Sequence, residues 1–262
     1  MNRRKKLKFL VAAGTDTGIG KETNQDSLLV KHANSNAGEV LLAIICDGIG
    51  GLFKGELASA VVIREFSKWF DRELGKELQT PDMEIIGEKW VMLLQELNYK
   101  IRQYAEDHQC KMGTTFSGIL LVDTRFVIVH VGDTRIYQID HSLRQITRDH
   151  TFVKREVDRG NLTEEQARTD KRRNLLLQCV GASESMKPEI LSGVMENGIM
   201  LLCSDGFYNK LSEQEILAAC RPENLENKKG MRQKIKELIK TVKSRNERDD
   251  ISAILIKIDR KV

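Results

Sequence analysis

Short apolar runs separated by turn residues recur along the chain and predict a protein rich in β-strands. The longest uninterrupted run extends from Val40 to Cys46. A continuous apolar run of this length is typical of a strand that is buried on both faces. The turn-forming residues Asn34 to Gly38 separate it from the strand before it. The pattern predicts strands over residues 8–13, 27–31, 39–46, 114–122, 126–131, 135–139, 143–147, 199–203 and 251–258.

Other segments carry their apolar residues at the spacing of an amphipathic helix. Trp69 and Trp90 lie on the apolar sides of two such segments, so both tryptophans are predicted to be core residues. The pattern predicts helices over residues 56–74, 83–107, 212–220 and 229–244.

Residues 148–185 differ from the rest because they are polar and rich in both charges. Thr163 to Gln166 is a helix-start signal within them, so this segment is predicted to be a small excursion from the core.

Two groups of strands separated by a helix pair, with helices again near the end, predict two packed sheets flanked by helices. The sequence therefore indicates an α+β fold in one domain.

Charge and composition narrow the classes of function. The chain has 262 residues and a formal net charge of +4. Basic residues concentrate between Arg3 and Lys8 and between Lys228 and Arg248, where they form a solvated face or a surface that steers an acidic partner. The sequence has no P-loop and no aromatics among its basic residues, which argues against nucleic-acid binding. Its apolar runs are too short for a membrane span or a signal peptide, so a cytoplasmic protein without a membrane partner is predicted.

Cysteine and histidine do not suggest a metal site. The 5 cysteines and 5 histidines are dispersed, without a C-x-x-C pair or an H-E-x-x-H motif. Neither a disulfide framework nor a zinc site is therefore predicted.

Aspartates, in contrast, recur at the ends of apolar strands. Asp47 and Asp205 each follow an apolar run and precede a glycine, Asp133 follows a glycine, and Asp26 and Asp249 come just before strands. Each Asp-Gly pair taken alone fits an ordinary turn. If these strand ends meet in one cleft, their carboxylates repel one another and require cations. Ligands that are all oxygen favour Mg²⁺ or Mn²⁺ over zinc.

The motifs around these aspartates resemble, in order and spacing, those of the type-2C metal-dependent protein phosphatases, the PPM family, and particularly its compact bacterial serine/threonine phosphatases. The most distinctive segments read CDGIGG from Cys46, VGDTR from Val131 and RDDIS from Arg248. The resemblance extends from about Thr15 to Ile258. It is carried by residues 15–18, 24–26, 46–51, 55–59, 113–115, 131–135, 147–150, 203–206 and 248–252.

This resemblance implies a four-layer α-β-β-α sandwich, in which a central β-sandwich is flanked by helices. It also implies one catalytic domain over residues 1–262, with a flap at about 148–185 that shapes substrate access. At one end of the sandwich it implies a site for two ions of Mn²⁺ or Mg²⁺ and for a weaker third ion.

The positions of the motifs imply a role for each acidic residue. Catalytic roles fall to Asp47, Asp205 and Asp249. Asp47 would bridge both ions, the Gly48 carbonyl would bind one of them, and Asp205 and Asp249 would hold the other. Asp133 matches the residue that helps to bind the third ion.

The resemblance also implies supporting residues around the ions. Asp26 would act through metal-bound water, and Gln25 stands beside it where a glutamate is usual. Lys21 falls where many members carry a phosphate-binding arginine, and Asp250 stands where asparagine is common. Ile49 occupies the position of a histidine that is proposed as a proton donor in some members.

The implied activity is hydrolysis of phosphoserine and phosphothreonine on proteins by a metal-activated water, which needs no serine, cysteine or histidine nucleophile. The implied partners are phosphoproteins and a cognate serine/threonine kinase, and the protein is expected to be a monomer. Two alternatives stay open. A pseudophosphatase would bind phosphoproteins without turnover, and a nucleic-acid or nucleotide binder would use the basic segments.

Overall fold

The computed structural model of the chain describes residues 7–49 and 54–260. The basic residues Arg3 to Lys6 and two glycines of the CDGIGG segment, Gly50 and Gly51, lie outside the described residues.

Within the described residues, the strands form two antiparallel five-stranded sheets. The first sheet has the order β1 (Leu7–Asp16), β10 (Ile251–Arg260), β9 (Gly198–Cys203), β6 (Arg135–Ile139) and β7 (Leu143–Gln145). The second sheet has the order β2 (Ser27–Ser35), β3 (Gly38–Cys46), β4 (Phe116–Val122), β5 (Arg125–Val131) and β8 (Glu189–Val194).

Helices connect the strands and cover the outer faces of both sheets. They are α1 (Gly55–Arg72), α2 (Leu74–Glu77), α3 (Met83–Asp107), α4 (Phe152–Asp158), α5 (Glu164–Thr169), α6 (Asp205–Tyr208), α7 (Glu213–Cys220) and α8 (Lys228–Ser244), with a 3₁₀ turn at Pro222–Asn224. In the described part of the chain, no helix has the length and apolar character needed to span a membrane.

The layers follow from side chains that alternate along each strand. In β3, Leu41 and Ile45 point into the cluster between the two sheets, whereas Leu42 and Ile44 point into the cluster under α1 and α3. Both faces of this strand are therefore buried, as its continuous apolar run predicts. A third cluster lies between the first sheet and α7 and α8, where Ile235 is one of the buried side chains. The predicted four-layer α-β-β-α sandwich of the α+β class is confirmed.

Several predicted boundaries are wrong for identifiable reasons. The predicted strand 114–122 begins only at Phe116, because Thr114 instead bridges Gly48 and Val180. Strand β8 was not predicted, since it lies at a sheet edge and its side chains alternate between exposed and partly buried positions. The short helices α2, α4 and α6 were missed because four to seven residues carry little helical periodicity.

The topology brings the acidic strand ends to one end of the sandwich. Asp26 precedes β2 and Asp47 follows β3, and the antiparallel pairing of these two strands sets both aspartates at the same end. Strands β9 and β10 also pair antiparallel, so Asp205 and Asp249 lie together beyond them. Each sheet therefore contributes acidic residues to the same region.

Replacement of Trp90 by alanine is expected to lower the free energy of unfolding by about 3–5 kcal/mol. Trp90 is fully buried on α3, and its ring lies edge-on to those of Phe66 and Trp69, with centroids 5.3 and 5.4 Å away. Met92→Ala on the exposed side of the same helix is the matched control and should change stability by less than about 0.5 kcal/mol. Urea denaturation followed by circular dichroism measures both, and equal losses would contradict this packing of α3.

Candidate metal centre

Five aspartates from both sheets act on one another at the end of the sandwich. Burial raises the pKa of Asp47 well above its ordinary value, and the charges of Asp26, Asp205, Asp249 and Asp133 raise it further. A cavity of about 500 Å³ is lined by Asp47, Asp133, Asp205 and Asp249, together with Gly48 and Lys21. The structure therefore brings together the acidic residues that the sequence singled out.

The backbone of Asp47 is held by hydrogen bonds to two threonines. Its N–H donates to the Thr115 hydroxyl at 2.9 Å, and its carbonyl oxygen accepts from the Thr115 N–H at 2.8 Å and the Thr114 hydroxyl at 2.9 Å. The two threonines thus fix the end of β3 rigidly. The next residue, Gly48, has no room for a side chain, because a Cβ there would lie 2.6 Å from the Gln25 carbonyl oxygen.

Asp205 lies at the start of α6, directly after β9. Its side chain is only 8% exposed. Oδ2 accepts from Asn209 Nδ2 at 3.3 Å, whereas Oδ1 is buried and has no hydrogen-bond partner within the described residues. The following Gly206 permits close packing, since a Cβ there would lie 2.2 Å from the Asp250 carbonyl oxygen. One oxygen of Asp205 is consequently left available to a ligand.

The environments of Asp26 and Asp133 also disfavour their ionised forms. Both carboxylate oxygens of Asp26 are buried, and the hydroxyls of Ser252 and Ser204 lower its pKa without forming well-aligned hydrogen bonds to it. Burial raises the pKa of Asp26 to about 7, and the charges of Asp250 and Asp249 contribute to the rise. Burial likewise raises the pKa of Asp133 to about 7, together with the charge of Asp149. Without a cation, these carboxyls hold protons at a pH where an exposed aspartate would be ionised.

Lys21 lies against the cluster. Its ammonium forms ion pairs with Asp249 and, at 3.0 Å, with Asp250. Burial lowers the pKa of Lys21, but the hydrogen bonds and charges of these two aspartates outweigh that effect and raise it overall. Lys21, predicted to bind phosphate, is therefore positioned beside a predicted metal ligand.

Asp250 anchors the loop that carries Lys21. It is 1% exposed, and its carboxylate accepts from the N–H groups of Gly18 at 3.1 Å and Gln25 at 3.0 Å. The side-chain amide of Gln25 donates to Glu56 at 3.2 Å. The backbone carbonyl oxygen of Gln25 accepts from the Gly48 N–H at 3.2 Å. Gln25 thus connects this loop to the backbone of Gly48.

The residues present fit a divalent cation. Buried carboxylate oxygens without a donor, next to further carboxylates, are costly unless a positive charge accompanies them. Among residues 7–49 and 54–260, no three histidine, cysteine, aspartate or glutamate side chains converge closely enough to hold one ion. Mg²⁺ usually keeps several waters and takes only one or two carboxylates. The donor set therefore suits a hydrated hard cation, not a closed structural site.

Sequence reasoning missed one acid in this region. Glu247 is 7% exposed and lines the same cavity as Asp205 and Asp249. The available signal was its place in the run Glu247 to Asp250, where only Arg248 interrupts the acidic residues.

A wider cleft of about 620 Å³ opens between the acidic cluster and the predicted flap. Asp133, Asp205 and Asp249 line one side of it. Residues of the excursion line the other side, among them Lys154 from α4 and Arg168 from α5. The excursion at 148–185 thus borders the route to the acidic cluster.

Known proteins share this sequence pattern and fold. A family model described as protein phosphatase 2C matches residues 13–255. The protein phosphatase PhpP of Streptococcus pneumoniae is 31% identical over 206 residues, which represent 77% of this chain and 80% of PhpP.

Solved structures of phosphatases have the same fold as this chain. The serine/threonine phosphatase Stp1 from Staphylococcus aureus is 27% identical and superposes with a TM-score of 0.81, over 95% of this chain and 94% of that chain. The catalytic domain of the serine threonine protein phosphatase PstP, in complex with two manganese ions, is 27% identical with a TM-score of 0.76, over 97% of this chain and 99% of that chain. The family match over most of the sequence and the shared four-layer fold establish that the chain belongs to the protein phosphatase 2C family.

Proposed function

We propose that this chain hydrolyses phosphoserine and phosphothreonine on proteins with the help of divalent cations. The observation that carries the proposal is the cluster of buried carboxylates, in which Asp205 Oδ1 has no donor among the described residues. Family membership supports the same activity, because its relatives include named serine/threonine phosphatases. We further propose that the chain works as one catalytic domain.

Two ions of Mn²⁺ or Mg²⁺ are the proposed cofactors. Asp47 with the Gly48 carbonyl on one side, and Asp205 with Asp249 on the other, would hold the ions. Water would supply the remaining ligands, since no three acidic side chains of the described residues converge on one point. Asp133 would contribute to a weaker third. When bound, such a pair of ions lowers the pKa of water and offsets negative charge on phosphoryl oxygens.

The protein's own groups have separate tasks in this proposal. Thr114 and Thr115 hold the backbone of Asp47, so its carboxylate does not have to reorganise when a cation binds. The carboxylate oxygens of Asp26 are buried next to the cluster and would accept hydrogen bonds from water around the ions. Lys21 would hold the phosphoryl group electrostatically, as a point charge at the edge of the cluster.

The cleft beside the flap is the proposed path for the substrate. Asp205 and Asp249 line it on one side and residues of the predicted flap on the other. A phosphoprotein is the expected partner, and a cognate kinase is one candidate. A monomer in the cytoplasm stays a prediction from the sequence.

Chelation is expected to abolish hydrolysis, and added Mn²⁺ or Mg²⁺ is expected to restore it. Phosphate release should be measured on phosphoserine, phosphothreonine and phosphotyrosine peptides side by side, with the first two preferred. Full activity after exhaustive chelation would exclude the metal-dependent mechanism. Tight binding of phosphopeptide without turnover under any metal would indicate a pseudophosphatase.

Asp205→Asn should lower kcat/KM for a phosphopeptide by at least about a hundredfold, because it removes a charge that the cation requires. The asparagine is nearly isosteric and can still accept from Asn209, so the fold should persist. Asp107→Asn, at the exposed end of α3, is the matched control and should retain full activity. A wild-type rate in Asp205→Asn would show that the site lies elsewhere.

The stability of the metal-free protein should fall as pH rises from about 4 to about 7. Asp26 and Asp133 have folded-state pKa values of about 7, above the ordinary value of 3.8. Asp47 and Asp205, whose pKa values burial also raises, add to this effect. His130 and His150 act in the opposite direction, since burial lowers their pKa values to about 3 and about 4. Four carboxyls outweigh two imidazoles, so the folded state binds more protons than the unfolded state in this window and raising the pH favours unfolding. Mn²⁺ should remove this loss, because it replaces the protons. Thermal unfolding at several pH values, with and without Mn²⁺, measures the effect, and a metal-free Tm that rises over the window would contradict it.

A further inference from the structure

Glu247 is a buried acid to which the proposed function assigns no task. Helix α8 ends at Ser244, and Asn246 then adopts a left-handed backbone conformation with φ of 59°. Asparagine tolerates this conformation better than most residues, and it commonly follows the end of a helix. The turn directs the chain inward, where the Glu247 carbonyl oxygen accepts from the Ile19 N–H at 3.2 Å. The side chain of Glu247 is consequently 93% buried, being 7% exposed.

The two carboxylate oxygens of Glu247 have different surroundings. Oε1 accepts from the N–H groups of Arg248 at 2.8 Å and Asp249 at 3.0 Å. Oε2 is buried and has no hydrogen-bond partner in the described part of the chain. A buried anionic oxygen without a donor is unfavourable, because it loses its hydration and gains no hydrogen bond in return. It therefore indicates a positive or donating ligand from outside the protein.

Glu247 lies beside the acidic cluster. It lines the cavity that also contains Asp205 and Asp249. Its charge is one of those that raise the pKa of Asp205. The nearby ammonium of Lys21 is engaged with Asp249 and Asp250. Asp205 Oδ1 is a second buried oxygen without a donor among the described residues.

We propose that Glu247 is a further acidic member of the metal centre and contributes an acceptor oxygen and a negative charge to the divalent cation on the Asp205 and Asp249 side. The inference rests on the metal-dependent function proposed above. Contact through the hydration shell of the cation fits the structure, because no three acidic, histidine or cysteine side chains of the described residues converge on one point. By holding the N–H of Asp249 with Oε1, Glu247 also positions that residue.

The test is a Mn²⁺ titration of the metal-free full-length protein, with free Mn²⁺ followed by electron paramagnetic resonance. Glu247→Gln should weaken Mn²⁺ binding by about ten- to a hundredfold, the effect typical of residues that support metal ligands. Glu213→Gln is the matched control, since Glu213 is an exposed acid that lines the wider cleft. Wild-type affinity in Glu247→Gln would overturn the proposal. Failure of the wild-type protein itself to bind Mn²⁺ would instead overturn the proposed metal-dependent function, and this inference with it.

Thermal unfolding separates a metal-related role from a structural one. Glutamine keeps an oxygen that can accept from Arg248 and Asp249, but it removes the repulsion toward Asp205. The Tm of metal-free Glu247→Gln should therefore equal or exceed that of the wild type, and the rise in Tm on adding Mn²⁺ should be smaller. A Tm that is lower by the same amount with and without Mn²⁺ would show that Glu247 only supports the fold, and would overturn the proposal.

Discussion

Repulsion among buried carboxylates is the constraint on which the rest of this structure depends. Asp26, Asp47, Asp133 and Asp205 come from four different strand ends, and burial raises the pKa of each. A fold that only had to be stable would not gather these groups, since each loses its hydration and gains like-charged neighbours. The arrangement becomes favourable once cations are present. The acidic end of the sandwich is therefore best explained as a ligand site. The surrounding structure holds the carboxylates together against their mutual repulsion.

That scaffold resists the repulsion by fixing the backbone rather than the side chains. The carbonyl and N–H of Asp47 are both bonded to the Gly113–Thr115 segment, and Asp250 binds two N–H groups of the facing loop. Gly48 and Gly206 allow backbone segments to approach more closely than any side chain would permit. The carboxylates thus cannot separate by moving their strand ends apart. Protonation or cation binding is left as the means of relief, which links metal binding to pH in this protein.

The sequence predicted most of the helices and strands, whose apolar residues recur at regular spacing. It predicted little of the burial and ion pairing that depend on contacts between distant parts of the chain. Helix α3 was predicted at its observed bounds, 83–107, because 25 residues of apolar periodicity leave little ambiguity. The aspartates were found because each stands at the end of an apolar run. Their roles as individual metal ligands stay predictions. Glu247 was missed because its burial depends on how α8 ends and on the cavity that both sheets form. The ion pair between Lys21 and Asp249 joins residues 228 positions apart, which no local pattern indicates.

The pairing of Lys21 with Asp250 links two positions that differ from the common pattern of the family. The family resemblance predicts arginine and asparagine at these positions, and in this chain the Lys21 ammonium and the Asp250 carboxylate form an ion pair. A guanidinium would extend its fork toward a phosphate, whereas the shorter ammonium is retained by Asp249 and Asp250. Asp250 is nearly fully buried, so its charge needs this partner even when a cation is bound at Asp249. Lys21 therefore offsets charge at one edge of the cluster. Glu247 lines the same cavity, and its Oε2 has no hydrogen-bond partner among the described residues, so in the inference above an ion from solution would take that place.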